Sequence, residues 1–240
     1  MSSGSRHSEV SGTSLPDISL SILLRHPRWY PLCLGSESCS QTRSRAPSST
    51  AVRLCDTEHL PCDRGSTFIR KIRYGVAASL DGYIAGPNGE SDWITVDPEV
   101  DFAAIWAQFD TGLMGRRTYE AAVQRLGEAA FSGITTMVFS RTLKPDEHPT
   151  VKVFSEVNPE WVRSLKDQEG KDIWLFGGSA LSRSFLDLGH VDMVEVSVIP
   201  VLLGAGIPLL PPPYSPTRLK LLSNQVYPSG RLALAYEVQH

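Results

Sequence analysis

From Ile69 onward, short apolar runs alternate with amphipathic stretches, whereas nothing before that point keeps a period. Ile72–Ala78 (IRYGVAA) reads as a first strand, followed by a loop from Ser79 to Trp93 dense in Gly and Asp. Pro98 to Phe109 sets Val100, Phe102, Ile105, Trp106 and Phe109 at helical spacing, so a helix is expected there. Gly112–Gly115 reads as a short buried strand and Arg117–Leu126 as the helix after it. Thr135–Phe139 and Val151–Phe154 are apolar, β-branched runs that predict strands, and Trp161–Gln168, with Pro159 ahead of it, predicts a short helix. Asp172–Phe176 is expected as a strand, Ala180–Leu188 as a helix ended by Gly189, and Val191–Ile199 as another strand. Leu219–Val226 and Leu232–Val238 flank Tyr227-Pro228-Ser229-Gly230, the turn chemistry of an antiparallel hairpin.

Strands alternating with helices predict an α/β fold: a mostly parallel sheet, flanked by helices, with an antiparallel C-terminal hairpin. Ile173–Phe176 is apolar enough for a central strand, and Pro211-Pro212-Pro213 reads as a rigid connector before the hairpin. Residues 1–68 are rich in Ser, Arg, Pro and Gly and are expected to form a disordered or poorly structured extension. Their arginines and serines suggest a mitochondrial presequence, but Glu9, Asp17 and Glu37 are unwelcome in such a signal. The folded domain is expected over residues 69–240.

Composition narrows the function classes. A net charge of −3 with 41% hydrophobic and 20% charged residues gives no reason to expect nucleic acid or an anionic membrane as partner. The first apolar run, Ile18–Leu24, is far short of the roughly 20 residues of a membrane span. All four cysteines (Cys33, Cys39, Cys55, Cys62) precede Ile69, and neither pair has close metal-ligand spacing. The six histidines are scattered. A reduced, cytoplasmic setting without a metal is therefore expected.

Three strand-to-loop junctions carry anion-binding chemistry. In Trp174-Leu175-Phe176-Gly177-Gly178-Ser179-Ala180-Leu181, a buried strand meets two glycines and a helix begins at once. Glycines permit close backbone approach, and free N–H groups at a helix start attract a diphosphate. A tight turn capped by Ser179 would have the same local sequence. Met114-Gly115-Arg116-Arg117-Thr118 repeats the arrangement with two guanidiniums added. Val138-Phe139-Ser140-Arg141-Thr142 places an arginine between two hydroxyls, suited to a phosphate monoester such as the 2′-phosphate of NADPH. Three such sites at three successive strand ends favour a dinucleotide. Gly204-Ala205-Gly206 is no dinucleotide fingerprint, since Leu209 stands where the third glycine belongs.

The loop Ser79-Leu80-Asp81-Gly82-Tyr83-Ile84-Ala85, continuing to Glu90-Ser91-Asp92-Trp93, supplies candidate substrate chemistry. Asp81 and Asp92 are candidate catalytic and substrate-binding carboxylates, able to bind ring N–H groups or to stabilise a cationic imine as hydride arrives. Trp93 offers a stacking face. Asp81-Gly82 is equally the signature of a turn.

In order, these motifs resemble the dihydrofolate reductase-like superfamily, and more closely the C-terminal reductase domain of the bacterial bifunctional riboflavin-pathway deaminase–reductase. The resemblance runs from about Arg70 to Glu237 and includes Gly89–Ile94 and Val198-Ile199-Pro200-Val201-Leu202-Leu203-Gly204. It implies NADPH as cofactor. The diphosphate would be held by Gly115–Thr118 and by Gly177, Gly178, Ser179, Ala180 and Leu181, with Ser140 and Arg141 on the ribose phosphate. Ala78 and Trp93 would lie on the cofactor, with Asp81, Asp92, Trp93, Leu203 and Gly204 on a small heterocyclic substrate. The implied reaction is that of 5-amino-6-(5-phosphoribosylamino)uracil reductase, hydride transfer to a ribosylamino imine, and the implied assembly is a homodimer. Two features depart from the family. Asp97-Pro98-Glu99-Val100-Asp101 is acidic where those reductases carry phosphate-binding arginines, and Phe176 replaces an acidic residue before the glycine turn. A pterin reductase of the dihydrofolate type and a nucleotide-binding module without catalysis stay open as alternatives.

Overall fold

The computed structural model describes residues 69–95, 97–127, 131–213 and 215–240. The extension expected over residues 1–68 and all four cysteines lie outside them. The strands are β1 (Ile72–Ser79), β2 (Tyr83–Ala85), β3 (Phe109–Gly115), β4 (Thr135–Phe139), β5 (Lys152–Phe154), β6 (Asp172–Gly177), β7 (Met193–Ile199), β8 (Ile207–Pro208), β9 (Arg218–Val226) and β10 (Leu232–Gln239). The α-helices among the described residues are α1 (Phe102–Trp106), α2 (Arg116–Leu126), α3 (Pro159–Lys166) and α4 (Ser179–Asp187).

Eight strands form one sheet in the order β5-β4-β3-β6-β1-β7-β10-β9. Pairing is parallel from β5 to β7 and antiparallel from β7 through β10 to β9. This is the expected mostly parallel sheet closed by a hairpin. The pleat sends neighbouring residues to opposite faces, each with its own core. Leu113 and Met137 join Val162 and Leu165 of α3 and Phe185 of α4, whereas Met114 and Val138 join Tyr119 and Ala122 of α2. Among the described residues, no helix is long and apolar enough to cross a membrane.

Two expectations need correction. The helix expected over Pro98–Phe109 contracts to Phe102–Trp106, capped by the Asp101 carboxylate, which accepts the Ala104 N–H at 2.9 Å. Phe109 opens β3 instead, paired with β6 and with its ring 4.8 Å from that of Trp174. One apolar pattern thus spanned the end of a helix and the start of a strand, because Trp106 and Phe109 both pack against Trp174. The Ser79–Trp93 loop, in turn, contains β2, which pairs with β8 in a separate two-stranded sheet. Gly206 permits that approach, since a methyl there would collide with the Ala85 carbonyl oxygen.

Candidate functional site

Parallel pairing brings the carboxyl ends of β4, β3, β6 and β1 into a row. Gly115 is level with Phe139 of β4, and Met114 with Gly177 of β6. The three junctions singled out in the sequence therefore stand side by side. Open crevices beyond such strand ends are where ligands bind in sheets of this type.

At the centre of the row, two helix starts face each other. Gly115 is the N-cap of α2 and Gly178 that of α4, and neither helix has a side-chain cap. Ser179 is the first residue of α4 and is buried, so it does not cap the helix. A methyl built on Gly115 would lie 3.6 Å from the Gly178 nitrogen, and one built on Gly178 would lie 3.5 Å from Thr118 Oγ1. The Gly177–Gly178 peptide is cis. Within the first turn, Leu181 and Ser182 donate their N–H groups to the Gly178 carbonyl at 2.9 and 3.1 Å. The N–H groups ahead of them point out of the helix end, where the partial positive charge of the backbone dipoles gathers. Ala180 is exposed there, and Leu181 is half-buried against the core.

Cations sit on the β3–β4 side. Arg116 is held by Glu120, with Nε to Oε1 at 2.6 Å, and by the Thr142 hydroxyl, which ties the start of α2 to the loop after β4. Arg117 and Arg141 are exposed and make no hydrogen bond or ion pair among the described residues, so their guanidiniums are available to a ligand. Ser140 Oγ accepts the N–H groups of Thr142 (3.2 Å) and Leu143 (2.9 Å), which fixes the turn that presents Arg141.

The β1–β7 side has different chemistry. The Asp81 carboxylate accepts the Ser79 hydroxyl at 2.6 Å, the Gly204 N–H at 2.7 Å and the Leu203 N–H at 3.1 Å. It clamps two loops about 120 residues apart in sequence, a role for which the sequence offered only the turn signature of Asp-Gly. Hydrogen bonding from Ser79, then from the Gly204 backbone, lowers its pKa from the ordinary 3.8. Asp92 is exposed and makes no hydrogen bond or ion pair among the described residues. Trp93 is half-buried, its Nε1 donating to the Glu90 carbonyl at 3.2 Å, and the neighbouring Ser91 hydroxyl accepts from Arg125 near the C-terminal end of α2. Ala78 is 2% exposed, so only its backbone, at the end of β1, can meet a ligand.

The clamp gives a signed pH prediction. Because the native pKa is lowered, the contribution of Asp81 is fully present above its ordinary value and is lost as pH falls through the lowered native one. Amide-exchange protection of Leu203 and Gly204 is expected to collapse only in strong acid. In Asp81→Asn it should be reduced at neutral pH. Equal protection in parent and variant at neutral pH would remove the clamp.

Sequence inspection missed Asp97. It is 3% exposed and accepts the N–H groups of Glu99 (3.0 Å) and Ser229 (3.3 Å), anchoring the turn of the β9–β10 hairpin. The Ser229 hydrogen bond leads the causes that lower its pKa, and Arg231 adds to them. The acidic look of that segment in sequence concealed this internal use, because its partner lies over 130 positions away.

An eight-stranded, mostly parallel sheet with glycine turns at the ends of β3 and β6 and an antiparallel C-terminal hairpin defines the dihydrofolate reductase-like class. Dihydrofolate reductase from Enterococcus faecalis, solved with NADP(H), shares this fold at a TM-score of 0.51 and 15% identity, over 72% of this chain and 99% of that one. A provisionally named riboflavin biosynthesis protein from Shewanella sp. PV-4 shares it at a TM-score of 0.63 and 23% identity, over 71% of this chain and 99% of that one. Residues 70–233 match the family described as the RibD C-terminal domain, and the chain belongs to that family. A sequence relative, the uncharacterized protein YyaP of Bacillus subtilis strain 168, is 33% identical over 178 residues, 70% of this chain and 94% of that protein. Among the described residues, no cluster of three or more His, Cys, Asp or Glu is placed to hold a metal ion.

Proposed function

We propose that the protein is an NADPH-dependent reductase that delivers hydride to a C=N bond of a small heterocycle, as in the reduction of ribosylaminouracils. One observation carries this reading: two uncapped helix starts face each other across glycines, with the unpaired guanidiniums of Arg117 and Arg141 beside them. That donor set fits an extended polyanion ending in a phosphate monoester.

The cofactor would supply the hydride. The starts of α2 and α4, with Arg117, would hold its diphosphate, and Arg141 its ribose phosphate. Trp93 and the backbone at Ala78 would border the ring from which hydride leaves. Asp81 positions the Leu203–Gly204 loop, so Asp92 is the carboxylate left to stabilise positive charge on a reacting imine. The chain's contribution is then alignment and electrostatics.

Titration of the purified chain with NADPH and with NADH tests the reading. Enhanced cofactor fluorescence with preference for NADPH is expected, followed by NADPH consumption with ribosylamino imines. Consumption with dihydrofolate, blocked by an antifolate, would instead select the pterin reaction. No binding of either dinucleotide would end the proposal.

A further inference from the structure

β9 is the outermost strand on its side of the sheet, and all nine of its residues are exposed. Its composition does not suit a strand left to water. Leu221 is 50% exposed and Val226 68%, and Leu219 and Leu222 are exposed beside them.

The register gathers these side chains on one face, since residues paired directly across neighbouring strands point the same way. Val226 pairs with Leu232, Leu221 with Tyr236 and Leu219 with Val238. On its other side, β10 pairs Leu232, Leu234 and Tyr236 with Val198, Val196 and Val194. Every charged side chain of the three strands falls on the opposite face. There Lys220 meets Glu237 at 3.4 Å and Glu195 meets Arg73 at 2.6 Å, with Arg218 opposite Gln239. A bulge keeps the two sets apart. The β9–β10 register shifts between Ala235 and Tyr236 and leaves Leu222 as the extra residue. Strict alternation from Val226 would have turned Lys220 and Arg218 onto the apolar face; the bulge turns Leu221 and Leu219 there instead.

The core does not reach across this face. Of the three strands it takes in Val194, Val196 and Val238, and no residue of β9. Leu232, Leu234 and Tyr236 are left half-buried. An antiparallel sheet ordinarily turns polar side chains to water, and a contiguous apolar patch marks an interaction surface. Strand rise and spacing give the face roughly 25 Å by 15 Å, close to half of the about 800 Å² that one partner contributes to a standard interface.

We infer that the apolar face of β7-β10-β9 is the contact between two copies of this chain, packed sheet on sheet about a two-fold axis. The absence of formal charge selects a second copy as the occupant. A two-fold contact sets one patch against itself, so any charge on it would meet its own kind. This face holds none, and its polar side chains are limited to Asn224 and the Tyr236 hydroxyl. The inference does not depend on what the row of strand ends binds.

Sedimentation equilibrium of the full chain tests it, with twice the chain mass expected at micromolar concentration. Leu221→Glu and Val226→Glu change exposed positions and should fold with the circular dichroism of the parent. Each is expected to weaken the dimer about a hundredfold or more, because the two-fold axis buries the new carboxylate twice. Ser223→Glu, on the polar face, should stay dimeric. In the parent, protection of Tyr236 from hydroxyl-radical modification should rise with concentration, a readout that needs no variant. A parent chain that stays monomeric overturns the inference, and a monomer with Tyr236 protected gives the face to residues 1–68 instead. A dimer that both glutamates leave intact, or one that leaves Tyr236 unprotected, has its interface elsewhere and overturns it equally.

Discussion

Gly178→Ala is expected to weaken NADPH binding by at least about tenfold, or 1.4 kcal/mol, while lowering the melting temperature by less than about 5 °C. Gly178 has φ −69° and ψ −175°, a conformation open to any residue. Its added methyl would meet Thr118 Oγ1 at 3.5 Å, an ordinary contact. The folded chain therefore loses only the modest preference for glycine over alanine at an N-cap, under about 1 kcal/mol. The same methyl would stand between the starts of α2 and α4, where the diphosphate is placed. The neighbouring glycine is the contrast. Gly177 has φ +92°, and a methyl there would lie 3.2 Å from Ser182 Oγ. Gly177→Ala should cost stability directly, about 1–3 kcal/mol in an unfolding titration. Gly178→Ala protein that binds NADPH like the parent would show that the diphosphate does not cross this turn.

Arg141→Ala is expected to lower NADPH affinity by roughly tenfold to a hundredfold and to leave NADH affinity unchanged. The magnitude follows from losing one charge-assisted hydrogen bond, about 1.5–3 kcal/mol. Arg141 makes no hydrogen bond or ion pair among the described residues, so its removal disturbs none there. Arg116→Ala should behave differently, because that guanidinium is held by Glu120 and Thr142. Its loss should loosen the loop after β4 and weaken both dinucleotides alike. Fluorescence titrations of each variant with each dinucleotide separate these patterns. An unchanged NADPH/NADH ratio in Arg141→Ala would move the ribose phosphate to another donor, such as the exposed Arg117.

The positions of β4 and of the C-terminal hairpin follow directly from local pattern, because the β-branched run of the one and the turn residues of the other are each contiguous. Thr135–Phe139 agrees at both ends. The three phosphate junctions were legible for the same reason: two are a strand, a turn and a helix start, and the third is a strand end followed at once by Ser140 and Arg141, each within eight residues or so. What local pattern did not contain was partnership. The Asp81 clamp joins two segments through backbone N–H groups, which carry no sequence signature. β2 and β8 are three and two residues long, too short for any alternation to register. Asp97 and Asp101 read alike as acidic residues near a helix, yet one is buried under the hairpin and the other caps α1. The serine at the glycine turn was open to a capping role that its place inside α4 removes.

The innermost strand of the sheet has consequences during synthesis. β1 pairs with β6 on one side and β7 on the other, each about 100 residues or more further along, which a ribosome making 5–20 residues per second reaches after roughly 5–20 s. Until then both backbone edges of Ile72–Ser79 are without their permanent neighbours. A nascent-chain pulse experiment should find this segment captured by chaperones until Met193–Ile199 has left the exit tunnel, and released soon afterwards.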